Sequence, residues 1–246
     1  MASIIAHAPA KLNLYLGVEP DLQDGKHLLN SVFCTVSLAD TLIFDFISGP
    51  EPFNVQLDVK TPPPLRPFKI RSHNNTLLKT VELFKQSYGD GVLPSGTLKV
   101  QLIKSIPIQA GLGGGSSDAA AMLRMLAWLA QVDPLSAKSR QVASQVGADV
   151  PFFLYAPKQG CCALMGGAGD KLLEMLPQPA LDIVLVKPSW GVSTKAAYGA
   201  FDASPQPVAD EQLLINALKH GDKVVSQTQT QTHAHWYLAN CRSLRG

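Results

Sequence analysis

The chain has 246 residues, of which 46% are hydrophobic and 16% charged, and its formal net charge at pH 7 is +2. This composition indicates a globular protein with a sizeable core and excludes a largely disordered chain. The small net charge argues against a nucleic-acid partner, and no apolar run reaches the ~20 residues of a membrane-spanning helix. Because no basic segment precedes the first apolar residues, we expect no secretion signal, no membrane partner and a cytoplasmic protein with reduced thiols.

Alternating apolar positions predict three strands in the N-terminal part of the chain. In the first of them, apolar side chains occupy one face, while Lys11, Asn13 and Tyr15 share the other, which predicts a half-buried strand with a polar face. The predicted strands are Lys11–Val18, Phe53–Val59 and Leu98–Leu102.

Apolar residues at helical spacing predict helices between residues 75 and 147. One ends at Gly89, and another begins with Asp133 as its N-cap and Pro134 in its first position and ends at Gly147. A later apolar run, Leu181–Val186, predicts a buried strand. The predicted helices are Asn75–Tyr88, Ala119–Ala130 and the segment from Asp133 to Gly147. Their mixed order with the strands indicates an α+β fold rather than a doubly wound sheet.

A glycine-rich loop lies between the third predicted strand and the second predicted helix. Its glycines stand at positions 111, 113, 114 and 115, and glycine lets a backbone take positive φ and approach a ligand closely. A helix that begins just after such a loop directs free N–H groups and its positive end at it. We therefore expect a phosphate site, with Ser116-Ser117-Asp118 capping the helix. The spacing fits neither a P-loop nor a dinucleotide fingerprint.

The loop resembles the phosphate loop of the GHMP kinases, and further segments resemble that superfamily in the same order. Within it, the triple glycine resembles the 4-diphosphocytidyl-2-C-methyl-D-erythritol kinase family. The segments are Ala8–Leu14, Asp24–His27, Pro107–Ser117 preceded by Lys104, Gly147–Phe153 and Pro188–Tyr198. The resemblance implies ATP-dependent phosphorylation of the 2-hydroxyl of 4-diphosphocytidyl-2-C-methyl-D-erythritol, a step of non-mevalonate isoprenoid biosynthesis, with Mg²⁺ accompanying ATP. It also implies a nucleotide-binding domain over residues 1–157 and a smaller, incomplete substrate domain over 158–224.

The chemistry of this resemblance centres on Lys11 and Asp149 as the catalytic pair. Phosphoryl transfer to an alcohol needs a proton acceptor, and we expect Asp149 in that role, in a loop before a strand at Phe152–Leu154. A lysine ammonium near Asp149 would keep the carboxylate ionised and orient the substrate hydroxyl. Ser116 or Ser117 is a candidate Mg²⁺ ligand.

The resemblance assigns further residues to the two ligands. Asn13 and His27 would bind the substrate, with His27 reading the cytosine, and Tyr198 would stack on the cytosine ring. Lys26 occupies the position of the family tyrosine that would cover the other face of the cytosine ring. The expected nucleotide-binding residues are Asn75, Lys104, Pro107, Ile108, Gln109, Ala110, Gly111, Leu112, Gly113, Gly114, Gly115, Ser116 and Ser117.

The C-terminal segment departs from the family pattern. It lacks the family's second glycine-rich motif and carries a polar Gln-Thr tract over residues 226–232, so we expect residues 225–246 to be disordered. Two alternatives follow. One is a GHMP kinase acting on homoserine or mevalonate, and the other is a truncated, inactive nucleotide-binding protein. The sequence leaves the oligomeric state open.

Overall fold

The computed structural model of the protein describes residues 3–23, 26–63, 75–179, 181–186, 194–204 and 210–220. The expected disordered tail, residues 225–246, lies outside these ranges, as do Asp24 and Gly25 and the side chains of Lys26 and Tyr198. No helix within the described ranges combines the length and apolar composition needed to cross a bilayer.

A mixed sheet organises the molecule around one long strand, β2. Strand β2 pairs antiparallel with β1 along most of its length, with β4 through Thr41–Ser48, and with β5 through Ser31–Cys34. In the described part of the chain the order is β3-β4-β2-β5-β6, with β1 beside β2. The strands are β1 (Ile4–Gln23), β2 (Lys26–Ser48), β3 (Asn54–Lys60), β4 (Gly96–Ile103), β5 (Cys162–Gly166) and β6 (Lys171–Leu176).

The four helices between residues 76 and 155 pack on one face of the sheet and complete the main core. Ile215 and Leu218 of the last described helix pack with Val32 and Cys34 of β2 in a second cluster. Strands β3 and β4 are parallel, so their connection must cross over the sheet, and it carries the first helix. Phe33 and Phe44 of the sheet are buried in one apolar cluster with Phe84 and Phe152 of the helices. The helices are α1 (Thr76–Tyr88), α2 (Gly114–Leu129), α3 (Ala137–Val146), α4 (Val150–Tyr155), α5 (Thr194–Ala203) and α6 (Glu211–His220).

The α+β class is confirmed, and so are the strands predicted near residues 11, 53 and 98 and the helix that ends at Gly89. The start of the third predicted helix is wrong. Helix α3 begins at Ala137 with Ser136 as its N-cap. Asp133 instead forms a turn, in which its side chain accepts a hydrogen bond from the N–H of Leu135 at 2.9 Å. An Asp-Pro pair suits a turn as well as a helix start, and here the turn prevails.

The expected buried strand at residues 181–186 is also wrong. This segment has no regular secondary structure, and its residues alternate between half-buried and exposed. Val184 and Val186 are 53% and 63% exposed, whereas Ile183 and Leu185 pack against a small cluster that contains Leu12 and Ile106. The apolar run therefore covers the region beside the glycine-rich loop with one face only.

Candidate active site

The structure brings Lys11 and Asp149 together, as the sequence predicts. The Nζ atom of Lys11 lies 3.5 Å from Oδ2 of Asp149 and donates a 2.7 Å hydrogen bond to Oδ1 of Asn13. It also lies 4.4 Å from the centre of the Phe33 ring, a cation–π contact. The Lys11 side chain is 7% exposed and that of Asp149 is 29% exposed, so the carboxylate is the member of the pair that a ligand can reach.

Two local features place this pair beside the glycine-rich loop. The backbone N–H of Lys11 donates to the carbonyl of Leu112 at 2.9 Å, which ties β1 to the loop. Asp149 is the N-cap residue of α4. The strand expected at Phe152–Leu154 is therefore wrong, because these residues belong to this helix. A short apolar run fits a buried strand or a buried helix equally well, and Pro151 near the helix start favours the helix.

The glycine-rich loop turns sharply and ends in the free N-terminus of α2. Gln109, Gly111 and Gly113 have positive φ values of 52°, 72° and 67°. Helix α2 begins at Gly114, with Gly113 as N-cap and no side-chain capping bond. The expected capping by Ser116-Ser117-Asp118 is therefore wrong, because these residues lie within the helix. The first N–H groups of α2 have no partner from the helix geometry itself, and the positive end of the helix dipole lies at the loop.

The glycines at the start of α2 allow close packing against the protein itself. A Cβ added to Gly113 would lie 3.0 Å from Cγ of Lys11 and from the Phe153 ring. One added to Gly114 would lie 3.0 Å from Cγ2 of Ile106, whereas one added to Gly115 would make only ordinary contacts with Thr76. The side chains of Ile108 and Gln109 are exposed, as are Gly111 and Gly115, while Leu112 and Ser117 are buried.

A buried ionic cluster lies beneath this loop, and sequence reasoning missed two of its members. The ammonium of Lys104 bonds to Oδ2 of Asp40 and, at 2.7 Å, to Oδ2 of Asp118. Asp40 and Asp118 are 0% and 1% exposed. The pKa of Asp118 is raised to about 7. Burial is the largest cause and the charge of Asp40 adds to it, whereas the nearby ammonium of Lys104 lowers the pKa. Burial lowers the pKa of Lys104, but the two carboxylates outweigh it and hold that pKa above its usual value.

Asn75, which is also predicted to bind nucleotide, has a defined structural contact. The side chain of Asn75 caps α1 by accepting a hydrogen bond from the N–H of Leu77 at 2.9 Å. The next residue, Thr76, donates through Oγ1 to the carbonyl of Gly115 at 3.0 Å. The N-terminus of α1 therefore lies against the start of α2. For Asn75 and Lys104, a direct contact with nucleotide stays a prediction.

Of the predicted substrate residues, the structure describes the side chains of Asn13 and His27. Asn13 donates through Nδ2 to Oγ of Ser31 at 2.7 Å. His27 is 8% exposed, with Nδ1 2.9 Å from the carbonyl of Glu19 and Nε2 2.9 Å from Oδ1 of Asp202. Asp202 belongs to α5, the helix that carries Tyr198. This contact brings α5 to the N-terminal end of β2, while the side chains of Tyr198 and Lys26 lie outside the described residues.

Comparisons with known proteins place this arrangement in a family. Residues 75–157 match the sequence model of the family described as the GHMP kinases N terminal domain. The chain is 35% identical over 221 residues to the 4-diphosphocytidyl-2-C-methyl-D-erythritol kinase of Exiguobacterium sibiricum, covering 89% of this chain and 71% of that protein. It is 36% identical over 220 residues to the enzyme of the same name from Pelotomaculum thermopropionicum, with the same coverage.

A solved structure agrees with these sequence relatives. A crystal structure of 4-(cytidine 5'-diphospho)-2C-methyl-D-erythritol kinase matches with a TM-score of 0.62 and 32% identity, over 89% of this chain and 72% of that one. The predicted GHMP kinase fold is thereby confirmed.

Proposed function

This chain belongs to the 4-diphosphocytidyl-2-C-methyl-D-erythritol kinase family of the GHMP kinases, and we propose that it transfers the γ-phosphoryl group of ATP to the 2-hydroxyl of 4-diphosphocytidyl-2-C-methyl-D-erythritol. The reaction supplies an isoprenoid precursor. The observation that carries the proposal is the pairing of Lys11 with Asp149 at 3.5 Å, beside a glycine-rich loop that Lys11 itself contacts. The relatives favour this substrate over homoserine or mevalonate.

Asp149 acts as the proton acceptor in this mechanism. Its partly exposed carboxylate can accept the proton of the substrate hydroxyl while that oxygen attacks the γ-phosphorus. Lys11 is buried behind it and is held by Asn13 and the Phe33 ring. The ammonium therefore has a fixed position, from which it orients the carboxylate and balances the negative charge of the transition state.

The loop and the first turn of α2 hold the triphosphate of ATP. Backbone N–H groups at an uncapped helix N-terminus suit an anion of this kind. Ser117, in that first turn, has a buried hydroxyl that lacks a hydrogen-bond partner among the described residues. A hydroxyl oxygen is a ligand type that Mg²⁺ accepts, so Ser117 would contribute to holding the ion. When bound, Mg²⁺ neutralises phosphate charge during transfer.

The substrate end of the site lies around His27 and Asn13, with Lys26 and Tyr198 assigned to the cytosine by their place in the family motifs. His27 is buried, and both of its ring nitrogens already have oxygen partners, the carbonyl of Glu19 and the carboxylate of Asp202. An imidazole has only these two hydrogen-bonding atoms, so binding of cytosine by His27 requires the base to replace one partner, and the Asp202 side chain, which is 54% exposed, is the one that can move away.

We also propose the division into a nucleotide-binding part, residues 1–157, and a substrate part, residues 158–224, and a cytoplasmic location. The end of the GHMP kinase match at residue 157 supports the division. Strands β5 and β6 extend the same sheet beyond this point, so the two parts would share a sheet.

Replacement of the pair tests the proposed function. With ATP and the cytidine substrate, Asp149→Asn and Lys11→Ala should each lower the turnover rate by about 10²–10⁴, the usual contribution of a general acid or base, while ATP binding measured by calorimetry is retained. Asp58→Asn is the matched control, because its side chain is 64% exposed on β3. Retention of more than about half the parent rate by Asp149→Asn, or phosphorylation of homoserine or mevalonate in place of the cytidine substrate, would contradict the proposal.

A further inference from the structure

Asp40 is a fully buried carboxylate on the central strand, and the reaction described above does not use it directly. Its Oδ1 accepts hydrogen bonds from the backbone N–H groups of Ser105, at 2.6 Å, and Ile106, at 2.8 Å. Its Oδ2 bonds to the ammonium of Lys104. These three residues follow the end of β4 at Ile103 and lead into the glycine-rich loop.

The same carboxylate also reaches the other end of the loop. Lys104 continues from Asp40 to Asp118 in the first turns of α2. A Cβ added to Gly114 would lie 3.4 Å from Oδ2 of Asp40, which places the carboxylate directly against the helix start. Asp40 therefore joins the residues that enter the loop to the residues that leave it.

This cluster is an expensive way to stabilise a fold. Burial of two carboxylates and one ammonium costs desolvation energy, and apolar side chains of similar volume often stabilise a core equally well. A charged group that makes hydrogen bonds through both of its oxygens fixes the positions of its partners. Here the partners belong to the backbone before the loop and, through Lys104, to the helix after it.

We propose that Asp40 is a positioning residue for phosphoryl transfer, which sets the conformation of the loop between Ile106 and Gly114 before ATP arrives. This inference rests on the proposed function in one respect, since it takes the loop as the triphosphate site. A loop that is ordered in advance loses little conformational freedom when it binds, so ATP binds more tightly. Asp40 acts through the backbone N–H groups of Ser105 and Ile106 and through Lys104, and it does not touch the nucleotide.

The experiment compares amide hydrogen exchange and ATP binding in the parent protein, Asp40→Asn and Asp40→Ala. Asparagine can satisfy either the two N–H donors or Lys104, and alanine satisfies neither. We expect loop amides to exchange faster and ATP to bind roughly 10–100-fold more weakly in Asp40→Ala, as loss of hydrogen bonds to a charged group implies. Asp40→Asn should give smaller changes in both quantities.

Ser139→Ala controls for general loss of stability. Ser139 is a fully buried polar residue of α3 that bonds to Tyr88 and Asp133, away from the loop. Its variant should unfold more easily while loop exchange and ATP affinity stay within about twofold of the parent. Equal effects of Ser139→Ala and Asp40→Ala on ATP affinity would show a merely structural role for Asp40 and overturn the proposal.

The parent protein supplies a test that does not depend on the folding of any variant. Without nucleotide, the amides of Ser105 and Ile106 should already exchange slowly, and ATP should slow the amides of residues 109–115 further. Fast exchange at Ser105 and Ile106 would overturn the positioning role of Asp40. Failure of the parent to bind ATP would instead overturn the proposed function, while the exchange contrast between parent and Asp40→Asn would still decide whether Asp40 orders the loop.

Discussion

Two buried lysines flank the glycine-rich loop, and their partners give them different roles. Lys11 faces one partly exposed carboxylate, Asp149, and so lies beside a group that a ligand can reach. Lys104 is enclosed by the two buried carboxylates of Asp40 and Asp118. A charge that is already paired on two sides in a dry environment stabilises local geometry rather than a passing ligand. In the proposed mechanism, the same residue type would serve catalysis at position 11 and loop structure at position 104.

The titration of Asp118 leads to a prediction at this scale. Its pKa is about 7 in the folded protein and about 3.9 in an unfolded chain. Between these values the folded state holds a proton that the unfolded state has lost, so this group contributes stability at low pH that disappears as the pH rises through about 7. The Oδ1 atom, which has no hydrogen-bond partner in the described part of the chain, is a suitable place for the proton.

Asp118→Asn removes this titration. Relative to the parent, the variant should gain more than about 1 kcal/mol in free energy of unfolding between pH 5 and pH 8, since each pKa unit corresponds to about 1.4 kcal/mol. Urea unfolding at both pH values measures the difference. Ser139→Ala, which removes no titratable group, should show a constant difference from the parent. A difference for Asp118→Asn that stays constant or reverses sign would contradict the shifted pKa.

At the scale of elements, helix α2 is held at its first turn from several directions. Gly113 packs against Lys11 of β1 and Phe153 of α4, Thr76 of α1 bonds to the carbonyl of Gly115, and Asp118 bonds to Lys104. These contacts keep the helix N-terminus next to the loop without a capping side chain. Packing therefore directs the first backbone N–H groups of α2 toward the glycine-rich loop.

Replacement by alanine should change the free energy of unfolding in opposite directions at Gly113, the N-cap of α2, and at Gly115, within its first turn. Gly113 has a φ of 67°, and an added Cβ would lie only 3.0 Å from the side chains of Lys11 and Phe153, so Gly113→Ala should lower the free energy of unfolding by about 1–2 kcal/mol. Gly115 lies within the helix and has ordinary clearance, so Gly115→Ala should raise it by about 0.5–1 kcal/mol. Urea unfolding decides. Destabilisation of equal size in both variants would mean that the packing at Gly113 is not specific.

At the scale of the whole molecule, β2 explains why distant parts of the sequence meet at one site. Its neighbours are β1, which carries Lys11, and β4, which leads into the loop. A third neighbour, β5, follows the helix that Asp149 caps. Phe33 of β2 connects the site to the core, since its ring lies under Lys11 and meets Phe152 edge-on at 5.2 Å.

Removal of the Phe152 ring should therefore weaken the entire fold. Phe152 is 0% exposed, and Phe152→Ala should reduce the free energy of unfolding by about 3–5 kcal/mol because transfer and cavity costs add. Leu213→Ala is the control, since Leu213 is 72% exposed on α6 and should change stability by less than about 0.5 kcal/mol. Similar values for the two variants would contradict the central place of Phe152 in the core.

The sequence by itself determined those features whose physical cause lies within a few residues. Alternating apolar residues predicted the strands near residues 11, 53 and 98. Apolar residues at helical spacing, with Asn75 before them and Gly89 after them, predicted α1, and the spacing of the glycines identified the loop. The family motifs identified Lys11 and Asp149, which the structure places side by side.

The tertiary structure decided the features whose cause is a distant partner. The apolar run after Asp149 becomes a helix because it packs on all sides in the core, where periodicity does not distinguish helix from strand. The segment at residues 181–186 remains half exposed because only one face of it meets the cluster near Leu12. Lys104 finds Asp40 across 64 residues, and no local pattern marks that carboxylate. Such pairing depends on which strands become neighbours in the sheet, and this is a property of the folded topology rather than of any short stretch of sequence.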